Sequence, residues 1–280
     1  MKHEQTWTGL GAHTFGFVWQ GNVLEVIGRL GANGFRTFQL LASPPHISDL
    51  EASGTCARAI RTEVATVGGT VLSLDLPVSE INIASPIREV VDFSVSYYRK
   101  AIDFSAAIEA KYITVTSGRR HALLPPPQGS LDGVFEDAFV RIAEHASRAG
   151  LRVLFENHPQ GFCPDIGSMM KLASDPRLQH VDILYDVANG VAIGEDPVEG
   201  LRAAQSRLGA VHFSDSPKGA WRHDPIGTGE IDFASILRTL DDMAFQGPCV
   251  AEIISDAPLQ HLLDARERLG ELRTPAAAAA

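Results

Sequence analysis

Apolar strand-like segments alternate with amphipathic helical segments along the chain, and this alternation is the feature that most constrains the fold. One strand and one helix recur about every 30 residues, which is a period typical of α/β proteins. The strand-like segments are TGLGAHTFGF, FRTFQLL, TVLSLDLP, KYITVTSG, LRVLFENH, VDILYDVANG, GAVHFSD and PCVAEIIS. Strands this apolar, with little polar alternation, indicate a parallel sheet that is covered on both faces.

Eight such units over about 250 residues match the size of a (β/α)8 TIM barrel. An open doubly wound sheet is the alternative, but no GxGxxG or GxxxxGK[ST] sequence opens any predicted helix. No linker or change of composition interrupts the pattern. We therefore expect one barrel domain over residues 1–274 and a disordered alanine-rich tail over residues 275–280.

Local signals predict several helix boundaries. Ser48 and Asp49 predict the start of the second helix, and Ser85 followed by Pro86 predicts the start of the third. Gly150 predicts the end of the fourth helix, because glycine readily adopts the left-handed conformation that follows many helices.

Charge and composition exclude several classes of function. The net charge of −10 disfavours binding to nucleic acid or to an anionic membrane. No apolar run approaches the roughly 20 residues that span a bilayer, and MKHEQTWTGL lacks the apolar region of a signal peptide, so we expect a cytoplasmic protein. The three cysteines are far apart and lack CxxC spacing, which argues against a disulfide framework or a zinc-thiolate site.

Polar residues stand at the ends of the last four strand-like segments, namely Glu156, Asp186, His212 and Glu252. The carboxyl ends of barrel strands form the active-site face, so closure of the barrel would bring these side chains to one mouth. Three carboxylates and an imidazole would be costly to gather there without a cation, and a divalent metal removes the conflict. The alternative is that they are unrelated residues held by helix N-termini or backbone amides.

The donor set indicates which ion to expect. Oxygen-rich ligation with one nitrogen suits Mn²⁺, Mg²⁺ or Co²⁺. We predict Mn²⁺ first, and Zn²⁺ also stays open.

The segments LFENHP, LYDVANG, AVHFSDS, HDPIGTGEIDF and VAEI carry a resemblance that covers about residues 150 to 255. The chain resembles the xylose isomerase-like TIM-barrel superfamily, and in particular its sugar phosphate isomerase/epimerase group of ketose 3-epimerases, hydroxypyruvate isomerases and inosose dehydratases. The resemblance implies that the four strand-end residues ligate a metal and that the two glutamates also act as acid and base. It also implies a tight loop at Gly227 and Gly229, with Asp232 near the following N-cap.

Two positions depart from the ketose epimerase pattern. Those enzymes usually carry Asp-x-x-His on the sixth strand, where this chain has Asp186-Val-Ala-Asn189. The arginine that they place soon after the seventh-strand histidine corresponds most nearly to Lys218, with Arg222 a little further on. Endonuclease IV-type members need further His and Asp ligands, but Asn189 and Trp221 stand at two of those places.

Six further polar residues are candidates for binding the substrate: His13, His158, Asn189, Asp215, Arg222 and His223. His13 is equally suited to cap a backbone group. Asp215 and His223 are each also suited to orient His212. Arg119 and Arg120 follow the fourth strand and are suited either to clamp a carboxylate or phosphate or to form an exposed surface pair.

These features predict a divalent-metal-dependent isomerase or epimerase that moves a proton through a metal-stabilised enediolate. The expected partner is a small polyol, keto sugar or sugar acid, with no nucleic acid and no membrane. A metal-dependent dehydratase, a lyase of the inosose or dehydroshikimate type, is the alternative, and a hydrolase or a non-catalytic sugar-binding module is a third hypothesis. The resemblance also implies a homo-oligomer, either a dimer or a tetramer.

Overall fold

The computed structural model of the protein describes residues 9–127 and 129–273, and the predicted tail at 275–280 lies outside them. Eight parallel strands in this range close into a barrel in the order β1 to β8, with β8 pairing back to β1. This confirms the predicted (β/α)8 TIM barrel. The strands are β1 Gly11–His13, β2 Thr37–Leu41, β3 Thr70–Asp75, β4 Tyr112–Thr116, β5 Arg152–Glu156, β6 Val181–Asp186, β7 Leu208–Phe213 and β8 Cys249–Ala251.

Along residues 9–127 and 129–273, each strand is followed by one or two helices. They are α1 Val23–Ala32, α2 Thr55–Thr66, α3 Arg88–Ala107, α4 Asp132–Arg148, α5 Ile166–Ala173, α6 Val187–Ala192, α7 Pro197–Ala204, α8 Phe233–Asp242 and α9 Pro258–Arg273. The sequence predicted eight of them, and the extra one is the short α6, which begins directly after β6. None of these helices combines the length and the apolar character that a membrane crossing requires.

The helix boundaries agree with the sequence at some places and differ at others. Gly150 has a φ of +79° just past α4, as predicted for a C-terminal glycine. The second helix begins at Thr55, so the predicted start at Ser48 and Asp49 is wrong. The physical reason is that Asp49 Oδ1 accepts the backbone N–H of Glu51 at 2.9 Å and so closes a local turn rather than a helix.

The third helix also starts later than predicted. It begins at Arg88, two residues after Pro86, because the Ser85 hydroxyl accepts the backbone N–H of Ile87 in the preceding turn. The prediction for Asp232 is confirmed, since Asp232 caps α8 and its carboxylate accepts the backbone N–H of Ser235 at 3.0 Å.

The strand pleat separates the main core from the barrel interior. Most of the buried apolar side chains form one cluster, whereas Leu154, Leu184 and Ala210 form a separate small one with Tyr112 packed against it. Each of those three residues stands two positions before a polar strand-end residue and therefore faces the same side of its strand. The barrel interior thus has an apolar floor below a polar upper layer.

A close approach of α7 to β6 gives a test of this packing. A Cβ atom on Gly200 would overlap the phenol of Tyr185, which is fully buried and donates a hydrogen bond to Glu195. We expect Gly200→Ala to lower the free energy of unfolding by about 1–3 kcal/mol through overpacking, measured by denaturant titration. Gly133→Ala in α4 is the matched control, because no atom lies within 4 Å of its added Cβ. Equal stability of the two variants would contradict the packing argument.

Candidate metal centre

The four predicted ligands meet at the C-terminal mouth of the barrel. Glu156 and Asp186 end β5 and β6, His212 lies near the end of β7, and Glu252 directly follows β8. One donor atom from each lies within 4.8 Å of the others, and all four residues are buried. The structure therefore brings together the side chains that the strand-end pattern singled out.

The distances within this cluster centre on the imidazole of His212. Its Nδ1 atom lies 3.0 Å from Glu252 Oε2, 3.4 Å from Glu156 Oε1 and 3.6 Å from Asp186 Oδ2. Three of these buried atoms, Nδ1 of His212, Oδ2 of Asp186 and Oε2 of Glu252, have no hydrogen-bond partner among the described residues. Since leaving buried polar atoms unpaired is costly, their convergence fits a shared cation.

Backbone capping explains only part of the cluster. Asp186 caps α6, and its Oδ1 accepts the backbone N–H of Asn189 at 2.7 Å. Its Oδ2 is left over and faces the other three side chains. The alternative in which helix N-termini hold these residues therefore accounts for one oxygen and leaves the convergence unexplained.

Burial and neighbouring charge shift the pKa values of the cluster in different directions. Burial raises the pKa of Glu156 to about 7. Burial alone would also raise the pKa of Glu252, but the surrounding histidines, with His13 first, hold it well below its ordinary value. Burial opposes charge on His212 as well, yet the carboxylates, with Glu252 first, raise the pKa of its imidazole. A cation at this place would compete with protons for the same atoms.

Asn157 fixes the backbone around Asp186. Its side-chain oxygen accepts the N–H of Asp186 at 2.7 Å, and its amide donates to the carbonyl of Asp186 at 2.9 Å. The oxygen and the NH₂ group of this fully buried side chain therefore both have hydrogen-bond partners. Asn157 therefore ties the end of β6 to the end of β5 and holds two of the candidate ligands in register.

Gln39 and Asp75, on β2 and β3, also belong to the site, and neither was predicted from the sequence. The Nε2 atom of His212 lies 2.8 Å from Gln39 Oε1, and the Gln39 amide lies 2.9 Å from Asp75 Oδ2. The sequence feature that could have identified them is the presence of Gln39 inside the apolar segment FRTFQLL and of Asp75 inside TVLSLDLP.

A cavity of about 490 Å³ opens above the cluster. Four of the predicted substrate-binding residues line it, namely His13, His158, Asn189 and His223. Its wall also carries aromatic side chains, which are Phe15, Trp19, Tyr98 and Trp221. The volume falls in the usual range of small-molecule sites, which is about 300–1,000 Å³.

A family model described as "Xylose isomerase-like TIM barrel" matches residues 28–274. The chain belongs to this family. Over 136 residues it is 26% identical to the L-ribulose-5-phosphate 3-epimerase UlaE of Shigella boydii, a match that covers 48% of each protein. The matched stretch is thus about half the length of that curated relative.

Solved structures agree with the fold. A crystal structure of a D-tagatose 3-epimerase-like protein superposes with a TM-score of 0.82 and 18% identity, covering 94% of this chain and 96% of that one. The probable 3-DHS dehydratase AsbF of Bacillus anthracis, involved in petrobactin synthesis, gives a TM-score of 0.73 and 14% identity, covering 95% and 99%. At such identities these likenesses establish the fold alone.

Within this xylose isomerase-like barrel, Asn189 is held by its neighbours. Its amide donates to the carbonyl of Asn157 at 2.9 Å, and its side-chain oxygen accepts the indole N–H of Trp221 at 2.7 Å. Asn189 and Trp221, which stand at the two departing positions of the endonuclease pattern, therefore bond to each other.

His13 takes the capping role that the sequence left open. Its Nδ1 accepts the backbone N–H of Phe15 at 3.0 Å, and its Nε2 lies 3.0 Å from Asp75 Oδ2. Both ring nitrogens are therefore engaged by the protein. His223 approaches the acidic ligands, with its Nδ1 3.6 Å from Glu252 Oε2 and 3.1 Å from Ser214 Oγ.

The structure does not bring Asp215 or Arg222 to the cavity wall. The buried Asp215 carboxylate accepts backbone N–H groups of Ser216, Gly227 and Ile231, so it organises the loop before α8. Neither a substrate contact nor the orienting of His212 follows from these bonds. Arg222 is largely exposed and pairs with Asp224 at 2.8 Å, which occupies its guanidinium.

The side chains of Arg119 and Arg120 point in different directions. Arg119 lines the cavity and donates from Nε to Gln160 Oε1 at 2.7 Å. Arg120 is exposed, lies over the Phe162 ring at 5.2 Å and donates to the Phe162 carbonyl. One arginine thus faces the site and the other the outer surface.

We expect the affinity for Mn²⁺ to rise with pH between pH 6 and 8. Below a pKa of about 7 a proton on Glu156 competes with the ion, and above it the carboxylate is free to ligate. Well below that pKa, each proton displaced gives about a tenfold change in affinity per pH unit, and the affinity should level off above it. Calorimetric titration in buffers of different ionisation enthalpy would count the protons released.

Glu195→Gln is the control for that titration. Glu195 is a partly buried carboxyl that also has a raised pKa, but it is bonded to Tyr185 and to the backbone of Ile166. Its replacement should leave proton release unchanged. An affinity independent of pH in the unmodified protein would contradict the assignment of Glu156 as a ligand.

Proposed function

We propose that this protein is a divalent-metal-dependent isomerase or epimerase that acts on a small sugar, keto sugar or sugar acid. The observation that carries the proposal is the convergence below the cavity of buried donor atoms from Asp186, His212 and Glu252, with Glu156 beside them. These three atoms have no hydrogen-bond partner within the described part of the chain. The relationship to L-ribulose-5-phosphate 3-epimerase UlaE supports it. Cytoplasmic location and assembly into a dimer or tetramer stay predictions.

Glu156, Asp186, His212 and Glu252 would hold the ion, with Mn²⁺ as our first choice. The ion would polarise the carbonyl of the substrate and so make the neighbouring C–H acidic. Glu156 or Glu252 would then remove a proton to give an enediolate, and the other glutamate would return one. Return to the opposite face inverts a carbon centre, whereas return to the next carbon isomerises the sugar.

His158 would orient the substrate as a neutral hydrogen-bond donor. Burial, together with Arg119 and His223, lowers the pKa of His158 to about 4, so it is uncharged near neutral pH. Its Nδ1 accepts the backbone N–H of Gln160, which leaves the proton on Nε2. The ring lies against Trp221 at 4.9 Å in an edge-on arrangement, so its direction is constrained.

A metal-dependent dehydratase of the inosose or dehydroshikimate type is the second candidate. Arg119 favours the dehydroshikimate type, whose substrate is acidic. Among the described residues that line the cavity, Arg119 is the sole lysine or arginine. Reaction in D₂O separates the candidates. An isomerase or epimerase exchanges deuterium into its substrate without loss of water, whereas a dehydratase yields an ultraviolet-absorbing unsaturated product.

We expect Glu156→Gln and Glu252→Gln each to lower kcat by about 10²–10⁴-fold at saturating Mn²⁺, because each removes a proton carrier. Deuterium exchange into the substrate should fall in parallel with turnover. Glu195→Gln, which changes a carboxyl outside the cavity lining, should retain both. Near-normal turnover in either active-site variant would count against the mechanism.

Arg119→Ala should raise KM for acidic substrates by about 10- to 100-fold, since a hydrogen bond to a charged group contributes about 1.5–3 kcal/mol. The KM for neutral sugars should not change. Arg120→Ala is the matched control, because the neighbouring guanidinium lies over Phe162 outside the cavity. Equal effects of the two variants on KM would exclude Arg119 as an anion-binding residue.

A further inference from the structure

The imidazole of His212 is held from the side opposite to the carboxylate cluster. Its Nε2 lies 2.8 Å from Gln39 Oε1, and both residues are fully buried. A neutral imidazole carries one N–H. If Nε2 donates to Gln39, the lone pair is on Nδ1, which is the atom that faces the three carboxylates.

The orientation of the Gln39 amide follows from Asp75. The Gln39 Nε2 atom lies 3.0 Å and 2.9 Å from the two oxygens of Asp75. An ionised carboxylate accepts hydrogen bonds and donates none, so the NH₂ end of Gln39 must face Asp75. The carbonyl end is then directed at His212 and can only accept.

Asp75 is itself fixed in place. The Ser73 hydroxyl donates to its Oδ1 at 3.1 Å, and His13 Nε2 lies 3.0 Å from its Oδ2. The His13 proton must be on Nε2, because its Nδ1 accepts the backbone N–H of Phe15. A continuous set of hydrogen bonds therefore runs across the barrel interior from β1 through β3 and β2 to β7.

We propose that Gln39 is a positioning residue for the metal centre: backed by Asp75, it keeps the proton of His212 on Nε2 and the Nδ1 lone pair directed at Glu156, Asp186 and Glu252. This inference rests on the proposed metal site. Without the acceptor at Gln39, a proton on Nδ1 would be favoured, because the surrounding carboxylates would accept it. That proton would occupy the place of the cation, so Gln39 biases the site toward a metal.

Gln39→Leu removes the acceptor while it keeps a buried side chain of comparable size. We expect it to weaken Mn²⁺ binding by about 10- to 100-fold at fixed pH, as losses of hydrogen-bond partners behind ligating histidines commonly do. Competition with a metal chelator measures this affinity without any substrate. Thr114→Val is the matched control: it removes a buried hydroxyl that lies 3.3 Å from Gln39 Nε2 and leaves the acceptor for His212 intact. The control should lower stability without weakening Mn²⁺ binding.

The double variant Gln39→Glu with Asp75→Asn separates the acceptor role from simple packing. It exchanges the carboxylate and the amide, conserves charge, and again offers His212 an oxygen acceptor backed by an amide donor. We expect it to restore Mn²⁺ affinity close to that of the unmodified protein. Affinity as weak as in Gln39→Leu would overturn the acceptor role.

A spectroscopic measurement keeps the inference testable if Gln39→Leu does not fold. Nitrogen-15 NMR of the Zn²⁺-loaded, histidine-labelled protein distinguishes a proton on Nε2 of His212 from one on Nδ1. A proton on Nδ1 would overturn the inference.

The outcomes also separate this inference from the proposed function. If the unmodified protein binds neither Mn²⁺ nor Zn²⁺, the proposed function fails and the inference with it. If it binds them, and Gln39→Leu binds equally tightly, the metal centre stands and the role of Gln39 is refuted.

Discussion

Three carboxylates converge on one imidazole nitrogen at a buried mouth, and the rest of this site is arranged around that electrostatic conflict. Asp186 is fully buried, and Glu156 and Glu252 are nearly so, where water cannot screen their repulsion. Among residues 9–127 and 129–273, the ion pairs of these three carboxylates are all with histidines rather than with lysine or arginine. Histidines surround the carboxylates instead. Three donor atoms of the cluster have no hydrogen-bond partner among the described residues. Protonation of His212 and Glu156, whose pKa values are both raised, lessens the repulsion, and the proposed divalent cation would take the place of those protons.

The two halves of the barrel contribute different parts of the site. Strands β5 to β8 supply the candidate ligands, and β1 to β4 supply a hydrogen-bonded support that includes Gln39 and Asp75. The apolar floor of Leu154, Leu184 and Ala210 lies beneath, and these residues stand two positions before Glu156, Asp186 and His212. Because both layers are packed and bonded, the fold itself fixes the positions of the candidate ligands, as a preorganised metal site would require.

The sequence predicted the barrel and the ligand cluster for the same reason. A polar residue at the end of an apolar run, such as Glu156 after VLF, can be recognised from the local sequence alone. Closure of the barrel then brings such strand-end residues together. Gln39 was missed because a single amide within a strand has no meaning until the histidine opposite it, 173 residues away, is known. Arg222 and Asp215 lie in a loop whose path is set by Asp215 itself and by distant backbone amides, so linear proximity to His212 was misleading. The late start of α2 has a similar local cause in the turn at Asp49.

Charge balance links the metal centre to the substrate. With a divalent ion bound, three ionised carboxylates would leave a net negative charge at the cavity floor, and transfer of a proton from the substrate to a glutamate would conserve that charge. An acidic substrate would therefore be repelled unless a cation stood on the wall. Arg119 occupies that position, restrained by Gln160, while Arg120, its neighbour in sequence, faces away. The aromatic side chains of Phe15, Trp19 and Trp221 suit the C–H faces of a sugar ring. The cavity thus combines aromatic side chains and one arginine on its wall with acidic side chains at its floor.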